Sequence, residues 1–125
     1  MRRKERERDA LFACQVFDEC PYAVLATVSP DGSPYCIPVS AVRIGNALYF
    51  HAALEGQKTE NLRRFPEACL TAVSHAKLTP ESLSVDYRSA VASGRAEEVL
   101  NPEEKMAALR EITRRFAPSR LSQLE

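Results

Sequence analysis

"YFHAALEGQKTENLRRFP", residues 49–66, contains the transition on which the fold turns. Tyr49-Phe50-His51-Ala52 reads as a strand; Gly56 and Lys58 follow, and a helical pattern then runs to Pro66. The first turn of a helix carries unpaired backbone N–H groups and a partial positive charge. Gly56 permits either a close approach of the backbone or a positive φ. A lysine at position 58 opposes the helix dipole unless an anion lies beside it. Thr59 offers a further hydroxyl donor. The corner is therefore a candidate phosphate site, although the same spacing suits an ordinary surface lysine beside a strand turn. His51 is equally open. On a continuous strand it shares a face with Tyr49 and Ala53, and imidazole, with a pKa of about 6.5, exchanges protons near neutrality if it faces a ligand.

Upstream, Ala23 to Val28 is a short apolar strand, and Ser29-Pro30-Asp31-Gly32-Ser33 is a turn. Pro34 to Ile44 reads as a second strand, in which Pro38 marks an edge, a bulge or a ligand-facing position. Gly45-Asn46 is a two-residue hairpin signal and Ala47 to Ala53 a third strand. These three strands read as an antiparallel meander. The first 20 residues read as a helix closed by Pro21, with Ala10, Leu11, Ala13, Cys14 and Phe17 as its apolar stripe.

Downstream, a short helix spans Gln57 to Phe65. Strands follow at Ala68 to Ser74 and Val85 to Val99, with a bend or bulge at Gly94. Asn101-Pro102-Glu103-Glu104 starts a helix, with asparagine as N-cap, proline in the first turn and acids at the positive end of the dipole. Met106, Leu109, Ile112 and Phe116 form its apolar stripe, and Arg114 and Arg115 suit its C-terminal end. Five or six mostly antiparallel strands with peripheral helices predict a mainly β, α+β domain built on a small β-barrel. Asp86-Tyr87-Arg88-Ser89 is a second polar constellation. Arg88 and Ser89 point to opposite faces, so Ser89 can donate to a phosphate or a ring oxygen while Arg88 pairs elsewhere, with Glu97, Glu98 or a carboxylate of another chain.

The 125 residues fit one domain, and the apolar fraction of 45% is ordinary for a globular core. Seventeen basic and seventeen acidic residues cancel, so charge favours neither nucleic acid nor an anionic membrane. Arg2, Arg3, Lys4, Arg6 and Arg8 are interleaved with Glu5, Glu7 and Asp9, without aromatic stacking partners. No apolar run is long enough to span a bilayer, and MRRKERERD precedes no signal-type apolar region. A cytoplasmic protein is expected. Cys14, Cys20, Cys36 and Cys69 show no CxxC spacing and read as buried free thiols in a reducing compartment. Cys69 and His75 lack two further zinc ligands, so no metal site is expected.

Taken in order, PYCIPVSAV (34–42), the GN hairpin, LYFHAALEGQK (48–58), LRRFPEACLTA (62–72), YRSAVASGRAEEV (87–99) and NPEEKMAALREI (101–112) resemble a known family. It is the FMN-binding split barrel of the pyridoxamine-phosphate-oxidase-like superfamily, nitroimidazole-resistance (nitroimidazole reductase) type. The resemblance runs from about Arg2 to Phe116 and is most specific in LYFHAALEGQK and YRSAVASGRAEEV together.

It implies a homodimer with FMN at the subunit interface. The strand matching Ile37, Pro38, Val39, Ser40 and Ala41 would run along the flavin ring and offer backbone groups to its polar edge. His51 and Ala52 would flank the ring, Gln57 and Lys58 would hold the phosphate, and Ser89 would reach the cofactor from the long strand. Gln57 stands where the family has an arginine-type residue, and Ser40 and Ala41 where it has a lysine region. A second phosphate has no cradle, so pyridoxamine-phosphate oxidation is not expected. Family members continue beyond the last helix, so a C-terminal segment is expected to be missing. The implied activity is an FMN-dependent reductase passing electrons from a nicotinamide donor to a small electrophile such as a nitroaromatic, with His51 as proton donor or substrate-orienting group. The alternatives are a haem bound by His51, a deazaflavin, and a non-enzymatic flavin-binding module.

Overall fold

Burial alternates strictly along Ala23–Val28 (β1), and this strand lies inside the larger sheet. The structure, a computed structural model, describes residues 10–53, 55–79, 81 and 84–124. After Ala10–Glu19 (α1) and β1 come Pro34–Val39 (β2), Ala41–Ile44 (β3), Ala47–Phe50 (β4) and Gln57–Arg64 (α2). Glu67–Thr79 (β5), Ser84–Arg95 (β6) and Pro102–Phe116 (α3) follow, and a 3-10 segment spans Pro118–Leu124. One sheet has the order β2-β1-β5-β6, the other is the hairpin β3-β4, and every pairing is antiparallel. The result is a mainly β, α+β split barrel with peripheral helices.

The inward residues of β1 set the core. Ala23 and Leu25 pair in register with Ala72 and Leu70 of β5. They pack with Val16, Phe17 and Cys20 from the α1 end, with Val39, Ala41 and Ala90, and with the half-buried Leu48, Phe50 and Leu62. Leu25 is 1% exposed, so truncation to alanine there costs about 2–5 kcal/mol. α2 is fastened to this core by a polar contact. The Asn61 amide donates to the Thr27 hydroxyl at 3.0 Å, and both residues are buried.

The sequence reading needs several corrections. Pro34 to Ile44 is two strands, broken at Ser40, and they lie in different sheets, so there is no three-stranded meander. Consecutive Ala41 and Val42 are both buried, which a single half-exposed strand does not allow. Pro38 does sit on an edge, since among the described residues β2 pairs only with β1. The Gly45-Asn46 turn joins Ile44 to Ala47 as expected. β4 stops at Phe50, which leaves His51 and Ala53 beyond the strand.

Both long strands have shifted limits, and Gly94 pairs regularly with Ala68. The bulge lies instead on β5 between Ser74 and Lys77, where His75 adopts φ 55°. The α1 stripe is rotated. Leu11 is 69% exposed, while Phe12, Ala13, Val16 and Phe17 face the core. Of the four thiols only Cys20 is buried, and Cys36 is exposed. Glu97 pairs with Arg95 at 3.6 Å rather than with Arg88. The charged segment at residues 1–9 lies outside the described residues.

The N-cap reading holds. Asn101 Oδ1 accepts from the amides of Glu103 and Glu104 at 2.9 and 3.0 Å. In α3 the residue fully buried is Ala108, whereas Met106, Leu109, Ile112 and Phe116 are half-buried. That partial burial leaves one side of the helix end facing the site.

Candidate functional site

The break between β2 and β3, the end of β4, the start of α2 and the end of α3 converge on one open pocket of about 360 Å3. Pro38, Val39 and Ser40 form one wall and His51 and Lys58 another. Ile112, Thr113, Phe116 and Ala117 of the α3 end close the third side.

The helix start that carries Lys58 sets a cationic side chain among first-turn backbone amides that no side chain caps. Gly56 has φ 137° and supplies no side-chain cap to α2. A Cβ at Gly56 would meet nothing within 4 Å, so the glycine is there for its backbone angle and not for space. The Glu60 amide bonds back to the Gly56 carbonyl at 3.0 Å; the amides before it have no helical carbonyl to reach. Thr59 Oγ1 donates to the Ala53 carbonyl at 2.6 Å, so this hydroxyl ties down the approach to the helix. Lys58 is half-buried and is the fully charged side chain among those lining the pocket. Asn61, one helical turn on, seats this face of α2 on β1 through Thr27.

Of the residues singled out from sequence, Pro38, Val39, Ser40, His51 and Lys58 meet in the pocket. His51 is exposed and lies just past β4, so it is not held on a strand face with Tyr49. Ala41 is buried, and its carbonyl accepts from Arg115 at 3.3 Å. Ala52 is half-buried outside the lining. Gln57 is exposed, its amide nitrogen 3.4 Å from the Ser29 hydroxyl in the β1–β2 turn. Ser89 is exposed and pairs in register with Val73 on the far strands of the sheet.

The α3 wall escaped the sequence reading because Ile112 and Phe116 fall at helical spacing within a stripe that reads as core. Only their half burial separates the two roles. Asn61 was missed as well. A lone asparagine in a charged helix gives no pattern signal.

The sheet has a second apolar face. Val24 and Ala26 of β1 point away from the core; Val73, Tyr87 and Val91 share their side and are 40%, 62% and 62% exposed. Among the described residues no helix or strand packs over this face. A strand reading AVLATV, apolar on both sides, is the mark of a sheet covered on both faces. Pro38 and Ser89 also lie on this side, at opposite edges of the sheet.

Among the described residues no three His, Cys, Asp or Glu side chains gather as a metal site, and no helix is long and apolar enough to cross a membrane.

An antiparallel split barrel with a cationic, partly apolar pocket defines a class, and the comparisons specify it. A family model described as pyridoxamine 5'-phosphate oxidase matches residues 9–125, and the chain belongs to this family. Among solved structures it is similar to a candidate 5-nitroimidazole antibiotic resistance protein from Bacteroides thetaiotaomicron, with 27% identity and a TM-score of 0.75. That match covers 89% of this chain and 68% of the other. It is also similar to an FAD- and haem-binding protein from Mycobacterium smegmatis, with 27% identity over 95% of this chain and 58% of that one, and a TM-score of 0.72. An FAD-binding protein from Mesorhizobium loti shares the fold at 23% identity, with a TM-score of 0.67, over 86% of this chain and 76% of that one. None of the curated proteins matches.

Proposed function

We propose that the pocket binds FMN and that the chain is a flavin-dependent reductase of small electrophiles. The observation that carries this reading is the half-buried Lys58 at an uncapped helix start, facing one pocket with Ser40, His51 and Phe116. The residues present fit a flat ring joined to a monophosphate. Lys58 and the first amides of α2 offer charge and N–H donors to the phosphate. The peptide groups and hydroxyl at Ser40, where pairing is broken, suit the polar edge of the ring. Val39, Ile112 and Phe116 offer apolar contact to its face. Ala52 flanks this site, and Gln57 lies one residue from the phosphate anchor.

Bound flavin supplies two-electron redox chemistry with a nicotinamide donor. The protein's own part is to bind, orient and supply protons. His51 borders the pocket from an exposed position, where a ring nitrogen can orient a polar substrate and give up a proton. Lys58 is spoken for by the cofactor phosphate, so a second phosphate finds no cation. A substrate such as a nitroaromatic, uncharged and electron-accepting, suits this lining better than pyridoxamine phosphate. The Bacteroides relative's description agrees with that direction.

The reading includes a homodimer. The open apolar face calls for a cover, and a second copy supplies an identical apolar face. A two-fold axis along the strands would lay the β6 edge of one copy over the β2 edge of the other. Ser89 of the partner subunit would then approach the Pro38 side of the pocket.

The visible spectrum of the purified protein, with the released chromophore weighed by mass spectrometry, tests the cofactor. FMN near one equivalent per chain supports the reading. A Soret band with haem released would favour haem instead, with His51 as the candidate axial ligand. A colourless protein that takes up no added FMN removes the reductase reading.

A further inference from the structure

We infer that Arg115 is a positioning residue for the pocket: its guanidinium clamps the end of α3 so that Phe116 is held as the fixed apolar wall against the bound ring. The inference rests on the flavin reading for its ligand, but the clamp itself is visible in the fold.

Arg115 is half-buried and reaches three carbonyls distant in sequence. One terminal nitrogen donates to Phe17 at 2.9 Å and to Ala41 at 3.3 Å, and the other donates to the Cys20 carbonyl. Phe17 and Cys20 are at the C-terminal end of α1, where carbonyls lack helical donors and the dipole favours a cation. Ala41 begins β3, directly after the Ser40 break that forms the opposite wall of the pocket. One planar fork therefore ties α3 to α1 and to the strand break at once.

The next residue in the chain is the wall itself. The Arg115 guanidinium carbon stands 5.0 Å from the centroid of the Phe116 ring, within cation–π range. Phe116 is the last residue of α3, and the backbone N–H of the capping Ala117 donates a hydrogen bond to the Thr113 carbonyl at 2.8 Å. A final helical turn frays unless something fixes it. Here the last turn carries Thr113, Phe116 and Ala117, all lining the pocket. Arg114 does not serve, since it is exposed and pairs with Glu111 on its own helix. A lysine at position 115 would keep the charge but not the fork, so it could not hold all three carbonyls in plane.

The test is a cycle of Arg115→Lys, Arg115→Met, Phe116→Ala and the double variants. FMN affinity and thermal stability are read on each, and amide hydrogen exchange on the flavin-free protein. In the parent background either Arg115 change is expected to weaken FMN binding by about tenfold or more. In the Phe116→Ala background it is expected to change binding by less than about twofold, while still lowering thermal stability through the lost bonds to the Phe17, Cys20 and Ala41 carbonyls. Exchange at Phe116 and Ala117 is expected to speed up without ligand, relative to the amides of Ala108 and Leu109. A binding loss equal in both backgrounds overturns the inference, as does a stability loss with binding and exchange unchanged. If Arg115→Met fails to fold, Arg115→Lys carries the same readouts. If the parent protein binds no FMN, the flavin reading falls, and unchanged exchange at 116–117 would separately remove the clamp.

Discussion

The Asn61 amide nitrogen lies 3.0 Å from the Thr27 hydroxyl, with Asn61 1% and Thr27 4% exposed. This buried bond joins α2 to the inner strand of the sheet three residues beyond Lys58. Asn61→Ala leaves the Thr27 hydroxyl without its partner and is expected to cost about 1–3 kcal/mol of stability. Urea unfolding measures it. Flavin affinity should fall with it, because the Lys58 turn loses its seat. A loss below about 0.5 kcal/mol would mean that α2 is held by apolar packing alone.

His51 is expected to act on substrate and not on cofactor. His51→Ala should leave FMN bound and lower turnover of a nitroaromatic by about 10²–10⁴-fold, the range for a positioned acid–base group. Steady-state assays alongside the flavin spectrum separate the cases. Loss of flavin from the variant would make His51 a cofactor contact.

The open sheet face gives a prediction about assembly. Val91 is 62% exposed on the edge strand β6, on the same face as Val73 and Tyr87. Val91→Glu places a charge where a second copy would desolvate it. Light scattering should show dimer for the parent and monomer for the variant, with flavin retention reduced. A variant that stays dimeric would place the interface elsewhere.

Tyr49 links β4 to the start of α3. Its hydroxyl donates to Glu104 at 2.7 Å, and that hydrogen bond holds the phenol above its usual range. A raised folded pKa contributes stability below the unfolded value near about 10 and loses it as pH rises through the folded value. Stability should therefore drop above about pH 10, and Tyr49→Phe should remove that part of the drop. The effect is expected to be small, because the pair is largely solvated. Unfolding curves at neutral and alkaline pH for the two proteins check the sign.

Local chemistry made much of this molecule readable from sequence. Asn101, the Gly45-Asn46 turn and the helix expected at Gln57 to Phe65 and found at Gln57–Arg64 each obey rules that a few neighbouring residues satisfy. Failures came where the tertiary arrangement overrides the pattern. Pro34 to Ile44 is continuous in composition, yet it divides between two sheets at Ser40, with Ala41 and Val42 buried together beyond the break. Gly94 attracted the bulge because glycine is permissive, but the irregularity falls at His75, where no residue type announces it. In the site, Ser40, His51 and Lys58 are close in sequence and carry recognisable chemistry. Phe116 and Arg115 come from a helix more than fifty residues on, and an apolar stripe does not say which of its members is left facing a pocket.

The most direct test of the central claim compares FMN with riboflavin, which lacks the phosphate, by calorimetric titration of the parent protein and of Lys58→Ala. A phosphate held by Lys58 and the start of α2 predicts that the parent prefers FMN by about tenfold or more, and that most of this preference disappears in Lys58→Ala. Equal affinity for the two ligands, or a preference that survives the loss of Lys58, would contradict it.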